Sequence, residues 1–185
     1  MFWGKKAAFV LKNANIGLIK HTFMKLTTAF LFILFSFCAY AQHPAEAEIR
    51  LPIDQLFMGM NKGDSALVHG AFTKKVTLAT IFKDKEGNPA LRQESSLDGF
   101  LKAVGTAHTE AWSEPIWDLK IQVDGNFAQA WASYAFYLGK QFSHCGVDAF
   151  QLFKGADGKW KIFHLADTRQ KEGCVVPKGV GPVGG

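Results

Sequence analysis

Between Trp117 and Thr168 apolar and polar residues alternate with a period of two, and this pattern limits the fold more than any other feature of the chain. Trp117, Leu119, Ile121 and Val123 lead into Asp124-Gly125, and Ala128, Ala130, Ala132, Tyr134, Phe136 and Leu138 follow it. Such alternation predicts half-buried strands, and Asp-Gly between two runs predicts a tight hairpin. A two-residue Asp-Gly loop pairs Ile121 with Ala128 and Leu119 with Ala130, which brings both apolar phases to one face. Two more strands are expected, from about Ser143 to Lys154 and from Trp160 to Thr168, joined by Gly155-Ala156-Asp157-Gly158. Four long antiparallel strands with one apolar face need a cover on that face.

The first half of the chain supplies the cover. Ile49, Ile53, Leu56, Phe57 and Met60 recur at steps of three and four, so the spacing predicts an amphipathic helix over 46–60 with Pro52 near its start. Asp64-Ser65 caps a second short helix running to Phe72. Val76 to Phe82 reads as a strand, a charged turn follows, and a short strand ends at Glu94. Ser95-Ser96 then caps a helix with Leu97, Phe100, Leu101 and Val104 on one face, closed by Gly105. The expected fold is α+β, a curved antiparallel sheet wrapped over about three helices from the N-terminal half. The alanine row leaves space on the covered face, for close helix approach or for a cavity.

Ahead of this domain, Met24-Lys25 opens a short apolar run that ends in Ala39-Tyr40-Ala41. A positive start, a short apolar stretch and small residues at the end predict a signal peptide over 24–41, cleaved after Ala41. Residues 1–23 are an upstream extension, consistent with a mis-assigned start at Met1. The run is short for a membrane crossing, which takes about 20 residues, so no stable anchor is expected after cleavage. Cys38 as a lipidation site is disfavoured by the bulky Phe37 before it. The whole chain has a formal net charge of +5. Five of its lysines and none of its acids lie in residues 1–41, so the exported part balances sixteen bases against sixteen acids. Nucleic-acid binding loses its main support. The domain is expected to span 45–175, with a flexible Gly- and Pro-rich tail over 176–185, and to be periplasmic or secreted. In an oxidising compartment the remaining pair, Cys145 and Cys174, is expected to form a disulfide. Neither cysteine has a C-x-x-C partner for a metal, and no local signal marks a catalytic thiol.

The chain resembles the NTF2-like superfamily of cone-shaped α+β domains, and within it the secreted proteins labelled lumazine-binding. The resembling residues are Ile53-Asp54-Gln55-Leu56-Phe57, Gly63-Asp64, Tyr134-Ala-Phe136, His144-Cys-Gly146, Phe150-Gln-Leu152, Gly158-Lys-Trp160-Lys-Ile162 and Ala166-Asp-Thr-Arg169. The superfamily includes isomerases, dehydratases, epoxide hydrolases and binding modules. The resemblance therefore implies a fold and not a chemistry.

Candidate site residues follow from the strand pattern. If Leu152 opposes Ile162, then Phe150 opposes His164 and Asp148 opposes Ala166, with Tyr134 on the adjoining strand. Asp148, His164 and Tyr134 are the candidate acid–base residues, since a half-buried carboxylate or imidazole is readily tuned toward neutral pH. The competing reading has Asp148 and His164 hydrogen-bonded to each other or to backbone. Trp112, Tyr134, Phe136, Phe150 and Trp160 are the candidate ligand contacts. His108, Glu110, Trp112 and Glu114 form an irregular segment before the first long strand, suited to a cone mouth or to rim packing. A metal held by His144, Asp148 and His164 lacks a tight ligand signature, and no metal is expected. There is no G-x-S-x-G, phosphate loop or dinucleotide fingerprint, and no cofactor is expected. These features suit an exported domain binding a small apolar or aromatic molecule. The alternatives are a cofactor-free lyase or isomerase, and a structural module that forms homodimers through Trp131 and Tyr137 on the outer sheet face.

Overall fold

The computed structural model of the chain describes residues 43–182, so the expected signal peptide and upstream extension lie outside the described residues. Three helices and seven strands follow in the order α1 (His43–Lys62), α2 (Ser65–Ala71), β1 (Phe72–Lys83), β2 (Pro89–Glu94), α3 (Asp98–Gly105), β3 (Trp112–Ser113), β4 (Ile116–Asp124), β5 (Phe127–Leu138), β6 (Gln141–Lys154) and β7 (Trp160–Thr168). This is the α+β arrangement expected from the sequence. The first helix starts earlier than its apolar stripe suggests, so Pro52 falls inside it rather than in its first turn. Asp64 caps α2, its Oδ1 accepting from the Leu67 N–H at 2.9 Å. Asp64→Ala should cost about 1 kcal/mol of stability, read from a urea midpoint, because that N–H loses its acceptor.

The seven strands form one sheet in the order β2-β1-β7-β6-β5-β3, and β4 also pairs with β5. All pairs are antiparallel except β1 with β7, which run parallel. Ile49, Ile53 and Leu56 of α1 pack with Ala128, Ala130, Phe150, Leu152 and Ile162 from the sheet to make the core. The alanines at 128, 130 and 132 are fully buried. The hairpin between β4 and β5 differs from expectation by two residues. Ile121 faces Ala130 and Val123 faces Ala128, with Gly125 and Asn126 as the loop. Gly125 takes φ 57°, so the glycine itself is the first loop residue. A two-residue shift leaves the inward phase unchanged.

Bulges in β4, β6 and β7 do change it, beside a further irregularity in β1 between Phe72 and Thr77. An extra residue near Asp118 (φ 52°) breaks the β4 register, so Trp117 opposes Ser133 on the outer phase while Leu119 and Ile121 pack on the core. A second irregularity lies in β6 between the partners of Phe136 and Tyr137. The third is in β7, where Leu152 opposes Ile162 but Gln151 already opposes His164, leaving Phe163 unpaired. Beyond it the inward residues of β7 are Leu165, opposite Phe150, and Asp167, opposite Asp148. Each bulge re-aims the side chains that follow it.

The segment after β7 is fastened across the sheet. Cys145 and Cys174 form a disulfide. Gln170 and Cys145 also exchange two backbone hydrogen bonds of 2.9 Å. The segment crosses so close to β6 that a Cβ on Gly146 would collide with the Thr168 carbonyl.

Candidate functional site

A cleft of about 1370 Å³ opens between the helices and the inner face of the sheet. Leu56, Phe57, Met60, Trp112 and Phe136 are among its apolar lining residues. Its polar lining residues include Thr80, Glu114, Tyr134, His144, Asp148, Asp167 and Arg169. The polar set comes from five places in the chain, which the bulges and the parallel β1–β7 ladder bring together.

Glu114 owes its position to an interrupted edge strand. β3 and β4 pair with successive parts of β5, and Glu114-Pro115 lies between them. Proline has no N–H for the ladder, so regular pairing stops there. The Pro115 carbonyl still accepts from the Ala135 N–H at 3.2 Å.

Asp148 and Asp167 face each other across the β6–β7 ladder, an arrangement that two carboxylates resist unless something relieves it. Relief falls on one partner. Asp167 accepts from the Thr80 hydroxyl at 2.7 Å and from Arg169 Nε at 2.6 Å. The Tyr134 hydroxyl lies 3.5 Å from Asp167 and donates to the Thr168 carbonyl at 2.9 Å. Asp148 is only 2 % exposed, and no donor reaches its Oδ2. The Glu114 carboxyl is its hydrogen-bonding neighbour, and two carboxyls can hydrogen-bond only through a proton on one of them.

Burial, then the charges of Glu114 and Asp167, push the Asp148 carboxyl well above the ordinary range. Burial and the Asp167 charge push Glu114 up to about 8, against the pull of its hydrogen bond to Asp148 and of Arg169. Near neutral pH the pair therefore retains a proton, and the site contains neutral carboxylic acid. Burial and the surrounding carboxylates also raise the Tyr134 phenol, which stays protonated. His144 is pushed down to about 4 by burial and by Arg169, so its ring is neutral. That ring lies 5.1 Å from Phe136 and 5.7 Å from Tyr134, centroid to centroid.

The structure brings together Asp148, Tyr134, Trp112 and Phe136 among the sequence-predicted residues. Trp112 packs edge-on to Phe136 at 5.8 Å and lies 4.3 Å from His108. His164 stands apart, because the unpaired Phe163 turns it to the outer face. There its Nδ1 lies 2.6 Å from the Thr77 hydroxyl. Phe150 and Trp160 are core residues, 0 % and 5 % exposed, and neither lines the cleft. Leu165 takes the position opposite Phe150 that the expected register gave to His164, and Asp167 takes the one opposite Asp148 that it gave to Ala166. Asp167 and Arg169 belong to the Ala166-Asp-Thr-Arg169 stretch already noted in the sequence, and Glu114 to the 108–114 segment, so their signals existed without a role attached.

No protein-family profile matches the chain, and no curated protein sequence matches it. Solved structures do. One is an NTF2-like protein with a cystatin-like fold from Novosphingobium aromaticivorans, 11 % identical, TM-score 0.58, covering 77 % of this chain and 92 % of that one. An NTF2-like protein of unknown function from Shewanella baltica is 19 % identical, TM-score 0.51, over 71 % of this chain and 97 % of its own. A candidate dehydratase of the NTF2-like family from Streptomyces avermitilis is 13 % identical, TM-score 0.55, over 71 % and 99 %. The chain has the NTF2-like fold.

Proposed function

We propose that this is an exported domain that binds a small, mostly apolar or aromatic molecule in the cleft. The observation that carries the reading is the buried Asp148 carboxyl, which lines a roomy apolar cleft and has an oxygen with no donor. Buried polar groups are normally satisfied, and an oxygen-bearing ligand would satisfy this one. Trp112 and Phe136 would take the apolar part of the ligand. Export rests on the Ala39-Tyr40-Ala41 site, and the Cys145–Cys174 disulfide is compatible with it.

A second reading, a cofactor-free lyase or isomerase, is favoured by the proton-sharing carboxyl pair. A neutral acid beside a second carboxyl can donate a proton at one atom while its partner accepts one at another. In this reading Glu114 takes the role first given to His164, and Tyr134 positions Thr168 through its hydroxyl. A candidate dehydratase among the similar folds is in keeping with such chemistry. The third reading, a dimerisation module, draws on Trp131, which is 48 % exposed on the outer face. The open cleft speaks for binding instead.

The test is a calorimetric screen of aryl ketones, alcohols and carboxylic acids, with mass spectrometry of co-purified small molecules. Asp148→Asn should weaken the best binder about tenfold, the worth of one buried hydrogen bond. If any screened compound is turned over, the same change should abolish turnover. A screen without a binder, together with an empty protein, would remove the ligand-binding reading.

A further inference from the structure

The cleft contains a cation whose donors are only partly used. Arg169 spends its Nε on Asp167, and its terminal nitrogens make no hydrogen bond among the described residues. The group is fixed in place by its neighbours in sequence. The Arg169 N–H donates to the Ile81 carbonyl at 2.8 Å, Gln170 is paired to Cys145, and the disulfide follows at Cys174. Its side chain is 44 % exposed, so the guanidinium reaches both the cleft and solvent.

Asp148, buried and without a donor on Oδ2, lines the same cleft. We propose that the cleft selects aryl or alkyl carboxylates, the acid group held between the terminal nitrogens of Arg169 and the Asp148–Glu114 carboxyl pair, the apolar body against Trp112 and Phe136. This inference rests on the small-ligand reading above and narrows it to one chemical class.

A carboxylate offers two coplanar oxygens, which match the guanidinium fork. One of them can also accept from a neutral acid, which a second carboxylate could not do for it. The groups facing the bound acid would be Glu114 from the β3–β4 link, Tyr134 from β5, His144 and Asp148 from β6, and Asp167, Arg169 and Lys171 from β7 and beyond. Of these, Asp167 is already committed to Arg169 and Thr80, His144 is neutral, and the carboxyl pair retains a proton near neutral pH. An ammonium ligand would meet the guanidinium as a like charge, and an alcohol would leave the guanidinium donors unused.

The decisive measurement is calorimetry at pH 6.5 with 3-phenylpropanoate, 3-phenylpropanamide and 3-phenylpropanol on the full-length protein, Arg169→Gln and Arg169→Lys. The carboxylate should bind at least about tenfold more tightly than the amide or the alcohol, as a charge-assisted pair requires. Arg169→Gln should erase that preference, and Arg169→Lys should keep part of it, since lysine retains the charge and loses the fork. Circular dichroism checks the fold of both variants. If Arg169→Gln does not fold, Arg169→Lys and the ligand series carry the same comparison. Equal affinity for all three compounds, or an unchanged preference in Arg169→Gln, overturns the carboxylate assignment and leaves the small-ligand reading standing. Binding by none of the three, while neutral aromatics of the wider screen do bind, overturns it in the same way. If nothing in the wider screen binds, both fall together.

Discussion

Glu114→Gln is expected to be more stable than the native chain at pH 8 and to lose that advantage by pH 4.5. The reason is the proton that the folded protein retains. Between pH 4.5 and about 8 an unfolded chain has released the Glu114 proton and the folded one still holds it. Folded stability therefore falls as the pH rises through that window. Whole transmission of the shift would be worth ~5 kcal/mol; Glu114 is half-buried and can relax toward water, so about 2–3 kcal/mol is expected. Glutamine cannot titrate, and its carbonyl still accepts from Asp148. His144 acts in the opposite sense. Its pKa near 4 lies below the ordinary 6.5, so its contribution is lost as the pH falls from 6.5 to 4. The two effects offset each other below pH 6.5; above it Glu114 and the likewise raised Asp148 both lower stability, and the native-minus-variant difference reads the part due to Glu114. Urea midpoints of both proteins at pH 4.5, 6.5 and 8 provide the check. A native-minus-variant difference that stays flat with pH would contradict the retained proton.

Cys174→Ser should cost about 3.5 kcal/mol, the loop-closure entropy of a 29-residue separation in the chain-entropy model. The closed loop contains most of β6, all of β7 and the segment carrying Arg169. Loss of the bridge should therefore loosen the wall of the cleft more than the core around Ile53 and Phe150. Guanidinium midpoints of the native chain with and without reductant, beside the serine variant, measure the effect. The reduced native chain and Cys174→Ser should agree. Hydrogen exchange should rise first at Gln170 and Cys145, whose paired amides hold the segment. Equal midpoints in all three samples would mean that the bridge adds nothing to stability.

The elements of the fold were legible because each rests on a local signal. Ile49, Ile53, Leu56 and Met60 mark the α1 stripe, Asp64 marks a cap, and the Ala128–Leu138 alternation marks β5. The site was legible only in part. Asp148, Tyr134 and Phe136 keep their inward phase and Trp112 joins them from the segment before β4, whereas His164 loses its phase through one unpaired residue at Phe163. Nothing in Ile162-Phe163-His164-Leu165 says which residue drops out of register, because apolar Phe163 and Leu165 suit either phase. Glu114 was hidden for another reason. Its role depends on Asp148, which is distant in sequence, and no period records that encounter. Asp167 and Arg169 carried no role in the sequence, and only the β1–β7 ladder brings Thr80 to Asp167.

That ladder also governs the route by which the molecule can be assembled. β4, β5, β6 and β7 are joined in sequence by short turns and can pair as soon as neighbouring segments meet. β1 must find β7 across most of the domain, since Thr77 and His164 are 87 residues apart. Closing such a span costs ~4 kcal/mol of chain entropy beyond the constant common to all loops, and long-range pairing of this kind slows folding. The C-terminal meander is thus expected to form early and the β1–β7 seam late. Thr80 of β1 reaches Asp167 of β7 only across that seam. A chain stalled before the last step would have most of its sheet and no finished cleft, so anything that favours the finished cleft would act on the final event of folding alone.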